Sequence, residues 1–166
     1  MQAKFVHLSP EEVPALPKNH YLMLNVNERI VTLLGPEHVC AQCRFPRSAF
    51  RILFFLLKAP CGADYAELLA CLCCSDTVFY KLLAATSYER LCEILAPQIG
   101  RWHKHLERSS AQGKTLLEKE LKIVRRAVKE RNGASTILQQ NGFALTVRAM
   151  YRKGYLLAPA PVLQRC

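Results

Sequence analysis

Between Thr115 and Arg131 the chain interleaves two kinds of side chain in a way that a polyanion could use. Leu117, Leu121, Val124 and Val128 recur at steps of four, three and four, which is one stripe of a 3.6-residue helix. Lys119, Lys122, Arg125, Arg126, Lys129 and Arg131 occupy the other faces. A helix of this pattern buries the stripe and turns its cations outward. Cations so presented bind phosphate through charge, and a guanidinium can also grip O6 and N7 of guanine together. The candidate contacts are therefore Lys114, Lys119, Lys122, Arg125, Arg126 and Lys129, with Arg125 the candidate base reader. A solvated surface helix has the same pattern, and Lys129 and Arg131 near the helix end fit that simpler role. Glu118 and Glu120 oppose phosphate unless they point sideways. Thr115 and Glu118 have capping-box spacing and Asn132-Gly133 reads as a left-handed stop, so the predicted helix fills 115–131. A second basic group, Arg148, Arg152 and Lys153, lies toward the C-terminus around a predicted turn.

Cysteine is the other residue type with chemistry to offer. The chain has eight. Cys40 and Cys43 have C-x-x-C spacing, and Cys71 with Cys74 share a helix face, so these four are the candidate zinc ligands. His38, His103 and His105 are possible additions. Burial as small hydrophobes and redox sensing remain open beside zinc. No other cofactor is implied. A Gly-rich phosphate loop, a G-x-S-x-G and an H-E-x-x-H are all missing, so the expectation is that the protein is not an enzyme.

The net charge of +10 and pI near 9.4 favour DNA, RNA or an anionic membrane surface as partner. With 51% hydrophobic residues, 166 residues suit one domain, or one domain with an insertion. The first residues, MQAKFVHLSPEEVPALP, are broken by prolines and acids and lack a signal peptide's apolar region. The apolar run from Ile52 to Leu57 is too short to span a bilayer. A cytoplasmic protein without a membrane partner is expected, with its thiols reduced.

Positioning elements can be read around these groups. Phe5, Val6 and Leu8 suit a short strand, and Val13 to Pro17 an extended linker. Tyr21–Leu24 and Arg29–Leu34 read as a β-hairpin, with a further strand from Val39 to Phe45. Pro46 opens an apolar helix at its first turn, and Asp64 caps a second, Tyr65 to Cys73. Ser75 caps a helix through Leu83 and Ser87 begins another, which Pro97 breaks or kinks. Ser109–Gly113 reads as a short flexible link. Ile137-Leu138 and Leu145–Arg148 are predicted strands, and Tyr155–Leu157 the return strand of a hairpin.

Taken in order, several segments resemble the winged-helix DNA-binding domain of the OmpR/PhoB family of bacterial response regulators. They are Leu22-x-Leu24-Asn25-x-x-x-Arg29-x-Val31, Phe45 to Leu53, Leu56 to Gly62 with Glu67-Leu68-Leu69, Leu117 to Arg126, and Thr146-Val147-Arg148 with Gly154-Tyr155-Leu156-Leu157. The resemblance implies an α+β winged helix-turn-helix: an N-terminal antiparallel sheet, a helical core and a C-terminal hairpin wing. It implies a transcription regulator that lays the basic helix in the major groove of double-stranded DNA and touches the backbone with Arg148, Arg152 and Lys153. Three features depart from the family. Ala49 stands where Glu is usual, the turn between Arg148 and Gly154 is longer, and nearly forty residues, 75–113, separate the second helix from the basic one. No receiver domain precedes the hairpin. The division expected is an arm (1–19), the hairpin and first two helices (20–74), a helical insertion (75–113), the recognition helix and wing (114–158) and a tail (159–166). Phe79, Leu82, Leu83, Leu91, Ile94, Leu95 and Trp102 give the insertion more apolar surface than a connector needs. It either packs back on its own domain or pairs two copies into a homodimer. An adaptor that binds RNA polymerase or another protein, and a zinc- or redox-responsive regulator, are the alternative readings.

Overall fold

The computed structural model describes residues 4–160, without the side chains of residues 114–116. The fold is mixed α+β. Strands β1 (Phe5–Leu8), β2 (Tyr21–Asn25), β3 (Ile30–Leu34) and β4 (Val39–Arg44) form an antiparallel sheet in chain order. Alternation sets its buried face: Leu8, Leu22, Leu24, Val31, Leu33 and Ala41 point into the core, with Leu24 paired to Val31 and Leu33 to Ala41. The segment Val13–Pro17 is not an extended linker. The Val13 and Leu16 amides donate to the carbonyls of Ser9 and Val13, closing turns that satisfy the backbone and let both side chains enter the core. Prolines exclude a regular element there, but they do not exclude burial.

Helix α1 (Arg47–Lys58) is the central element, and every residue from Ala49 to Leu57 is buried. Pro46 is its N-cap rather than a first-turn residue. The short strand β5 (Ala63–Asp64) leads into α2 (Tyr65–Cys73), whose capping box joins Asp64 and Glu67 in both directions at 2.8 and 2.9 Å. Helix α3 (Asp76–Leu83) starts at Ser75, whose hydroxyl accepts from the Val78 amide.

The α2–α3 junction is held by one buried cation. The Arg51 guanidinium, 2% exposed, donates to the carbonyls of Cys71 (3.1 Å) and Cys74 (2.7 Å), and to the Asp76 carboxylate at 2.8 Å. It thereby satisfies carbonyls that the end of α2 leaves open and complements the negative pole there. The Phe79 ring lies 4.6 Å from its centre.

Helix α4 (Tyr88–Gln112) passes through Pro97 without a break and takes in Ser109–Gln112, which had been expected as a link. Leu91, Leu95, Gln98, Trp102, Leu106 and Ser109 are buried or half-buried at steps of three and four, so one stripe continues across the proline. The carbonyl that Pro97 leaves unbonded belongs to Glu93. Both residues are exposed, so water can serve it.

Helix α5 (Lys114–Lys129) follows after Gly113, its N-cap, and no side chain caps it. The expected Thr115 box is therefore not used: Thr115 lies inside the first turn, with its side chain outside the described residues. Nor does Asn132-Gly133 supply a left-handed stop. Gly133 has φ −79° and is the N-cap of α6 (Ala134–Gln140), while Glu130 caps α5 in extended geometry. Glycine is needed at 133 because a Cβ there would overlap the Val128 carbonyl. Ile137 and Leu138 are helical, not strand. With Ala134 they make an i, i+3, i+4 face that is buried, a pattern that two adjacent apolar residues did not reveal.

Strands β6 (Leu145–Met150) and β7 (Gly154–Pro159) form the expected hairpin, and β7 also pairs with β5, giving a second sheet in the order β5-β7-β6. Gly154 sits where a Cβ would collide with the Ala63 carbonyl, so this crossing requires glycine. One continuous apolar core runs from Leu8 to Leu157. Phe79, Leu82, Leu83, Leu91 and Leu95 of the insertion lie within it, and Ile94 and Trp102 pack on it. These side chains serve the insertion's own domain. Among the described residues no helix is long and apolar enough to cross a membrane. The tail assigned to 159–166 lies outside the described residues from 161 onward.

Candidate nucleic-acid interface

The stripe of α5 meets the core as its spacing demanded. Val124 and Val128 are fully buried with Ala127, and Leu117 and Leu121 are half-buried. The helix packs on α1, α2, α4 and α6. At about 100° per residue, the opposite side carries Lys119, Lys122, Arg126 and Lys129 at steps of three, four and three. All four are exposed, and so is Arg125 on the shoulder of this arc. The cationic row is about 15 Å long at 1.5 Å per residue. The side chain of Lys114 lies outside the described residues.

The acids of the helix divide. Glu120 points sideways and meets His105 of α4 at 2.9 Å, so it leaves the cationic arc. Glu118 is exposed beside Lys122. Glu130 lies 3.6 Å from Arg126, an exposed i, i+4 pair worth about 0.3–0.5 kcal/mol that an approaching phosphate can replace.

Tyr155 at the start of β7 ties the hairpin to this helix. Its ring makes an edge contact with Tyr65 at 6.1 Å, and Lys129 Nζ lies 6.0 Å from its centre. Burial pushes the Tyr155 hydroxyl pKa up, Tyr65 adds to this, and Arg125 opposes it by charge and by a hydrogen bond. Arg125 is itself exposed, on the side of the arc nearer the hairpin. Two residues before Tyr155, the Lys153 carbonyl accepts from the Tyr65 amide at 3.0 Å. The turn Tyr151–Lys153 leaves Arg152 and Lys153 exposed, and Arg148 projects from β6, also exposed. The guanidinium of Arg152 stacks 5.1 Å from the Tyr151 ring, which is 84% exposed. The described helix cations and the hairpin cations therefore belong to two adjoining elements with one tyrosine between them. Tyr155 was missed in the sequence as an organiser of this region, because its role depends on a sheet partner, Ala63, about ninety residues earlier.

The cysteines are not gathered. Among the described residues no group of three or more His, Cys, Asp or Glu side chains could hold a metal ion. Cys40 and Cys43 lie on β4, whereas Cys71 and Cys74 sit at the end of α2 around Arg51. Cys74 Sγ donates to the Cys71 carbonyl at 3.2 Å, and Cys71 Sγ to the Arg51 carbonyl at 3.6 Å. Burial pushes up the thiol pKa of Cys71, Cys73 and Cys74, against the opposing charge of Arg51. Cys92 is pushed up to about 11, by burial first and then by Glu67. Raised values keep these four as thiols at neutral pH, which makes them poor nucleophiles. His38 stands 3.8 Å from Cys40 Sγ, and His103 pairs with Asp64, the cap of α2, at 3.1 Å.

No family model, no curated protein and no solved structure matches this chain. The functional reading therefore stands on the geometry above.

Proposed function

We propose that this chain is a winged-helix protein that binds double-stranded DNA and acts as a transcription regulator, related to the OmpR/PhoB type. The carrying observation is the row Lys119, Lys122, Arg126 and Lys129, exposed on the side of α5 opposite buried Val124 and Val128. In this reading α5 enters the major groove, α1 and α2 support it from behind, and the β6–β7 hairpin is the wing that lays Arg148, Arg152 and Lys153 on the backbone. The Glu120–His105 pair supports it by removing one of the two acids that would repel phosphate. Arg126, at the middle of the exposed arc, is better placed for a bidentate guanine contact than Arg125, which lies on the shoulder of that arc. Lys119, Lys122 and Lys129 are read as phosphate contacts, which fix position and carry no sequence information.

The test is selection of bound fragments from genomic DNA by the purified protein, followed by backbone footprinting. Wild type should protect a defined site. The double variant Arg125→Ala, Arg126→Ala should stay folded and lose that protection. A variant that footprints like wild type refutes the assignment of α5. Failure of the wild type to retain any duplex would favour the alternative in which this face answers an acidic protein surface, such as one on RNA polymerase.

A further inference from the structure

The C-terminal half of α4 carries a second cationic feature. Arg101, Lys104 and Arg108 follow one another at steps of three and four and are exposed over about 10 Å of helix. With Trp102 and His105 they line a single concavity of about 440 Å³, and no acidic side chain takes part in it. Among the described residues none of these three cations is ion-paired. Arg90, on the same side of α4 three turns earlier, is paired to Glu93 at 2.9 Å. The helix therefore neutralises its cation at one end and leaves three free at the other.

Position adds to composition. Arg101 and Arg108 are the i−4 and i+3 neighbours of His105, so the three share one face. His105 is the residue that meets Glu120 of α5, and Glu120 adjoins Lys119, the first described cation of the α5 row. The ridge on α4 thus abuts the row on α5 across one His–carboxylate seam. At the far side of α4, His103 pairs with the Asp64 cap of α2, which fixes the helix relative to the domain.

We propose that Arg101, Lys104 and Arg108 form a second phosphodiester-binding ridge, which carries the duplex bound by α5 onward along the insertion. This rests on the duplex-binding reading of α5. The ligand is the sugar–phosphate backbone, bound through charge, so the ridge adds affinity and footprint length and no base preference. Trp102 and His105, in edge contact at 5.5 Å, line the same concavity.

The experiment compares three proteins by fluorescence anisotropy on a selected duplex, across a range of salt. They are wild type, the triple variant Arg101→Ala, Lys104→Ala, Arg108→Ala, and a control of equal charge, Lys4→Ala, Lys18→Ala, Lys58→Ala. Circular dichroism and thermal melting establish that each is folded. If each ridge cation neutralises one phosphate, the slope of log K against log salt should fall in magnitude by about 2.7 in the ridge variant, at about 0.9 per contact. The control should keep the wild-type slope, and hydroxyl-radical footprinting should show protection lost at one end of the site only. Wild-type binding with an unchanged slope in the ridge variant overturns the ridge and leaves α5 standing. An equal loss in the control reduces the effect to bulk charge and also overturns it. Wild type that fails to bind duplex overturns the α5 reading and the ridge with it.

Discussion

Arg51 and Arg126 carry the same guanidinium, and the fold uses them in opposite ways. Arg51 is sealed under α2 and α3, where it meets the carbonyls of Cys71, Leu72 and Cys74, a carboxylate and an aromatic ring. Arg126 stands in water with one weak neighbour, Glu130. A buried cation must have all its donors satisfied, so its energy is spent within the molecule. An exposed cation on a rigid helix costs the fold almost nothing and remains available to a partner. The contrast separates the basic residues that build this protein from those that can act for it.

The sharpest way to break that contrast is to truncate each arginine. Arg51→Ala leaves carbonyls at the end of α2 and the Asp76 carboxylate without their donor. The buried carbonyls left unpaired and the space left behind should cost about 2–4 kcal/mol of unfolding free energy, read from the urea midpoint. Arg126→Ala should shift the same midpoint by less than about 0.5 kcal/mol. Similar losses at both positions would erase the distinction.

The hairpin offers the next test. Gly154→Ala forces a Cβ into the Ala63 carbonyl, so β5 and β7 must separate. A destabilisation of roughly 1–3 kcal/mol is expected, as for overpacking a closed site. Amide exchange should accelerate in β7 before it does in the four-stranded sheet, and uniform acceleration would argue against a local anchor. A finer test lies within α5. Arg126→Ala should relax discrimination at one base pair by about 1–3 kcal/mol, while Arg125→Ala should change affinity with less effect on discrimination. The reverse order would return the base-reading role to Arg125.

The smallest expected effect concerns pH. Hydrogen bonding and charge from Arg47, with Arg51 behind, hold the Asp76 carboxyl pKa below its ordinary 3.8. A carboxylate depressed in the folded state stabilises it above the unfolded pKa, and that contribution is lost as pH falls through the folded value. Wild type should therefore lose slightly more stability than Asp76→Asn on acidification below about pH 4. The exposure of Asp76 keeps the difference small, and identical acid profiles would remove this contribution.

Much of the local structure was legible because single residues announced it. Asp64 with Glu67 and Ser75 with Val78 mark helix starts that the chain uses, and the alternation at Leu22, Leu24, Val31 and Leu33 marks a half-buried sheet. What escaped notice depended on contacts that a residue's type alone does not announce. Pro97 signals a break only if the stripe around it fails, and Leu91 through Ser109 keep it intact. Gly133 signals a left-handed stop only if its φ is positive, whereas it is chosen for close approach to Val128. At the interface, helical spacing was enough to turn Lys119, Lys122, Arg126 and Lys129 outward. The sideways turn of Glu120 to His105 of α4 arises from a tertiary contact that no local pattern encodes.

The central claim, that the exposed row on α5 is a duplex-binding surface, is tested most directly by the salt dependence of binding in the variant Lys119→Ala, Lys122→Ala, Arg126→Ala, Lys129→Ala. Wild type should bind its selected duplex with log K falling linearly against log salt. The variant, folded and equally stable, should lose about 2.7 from the magnitude of that slope, at about 0.9 for each of the three phosphate contacts, Lys119, Lys122 and Lys129, and lose base discrimination with Arg126. A variant that keeps the wild-type slope and affinity would contradict the account.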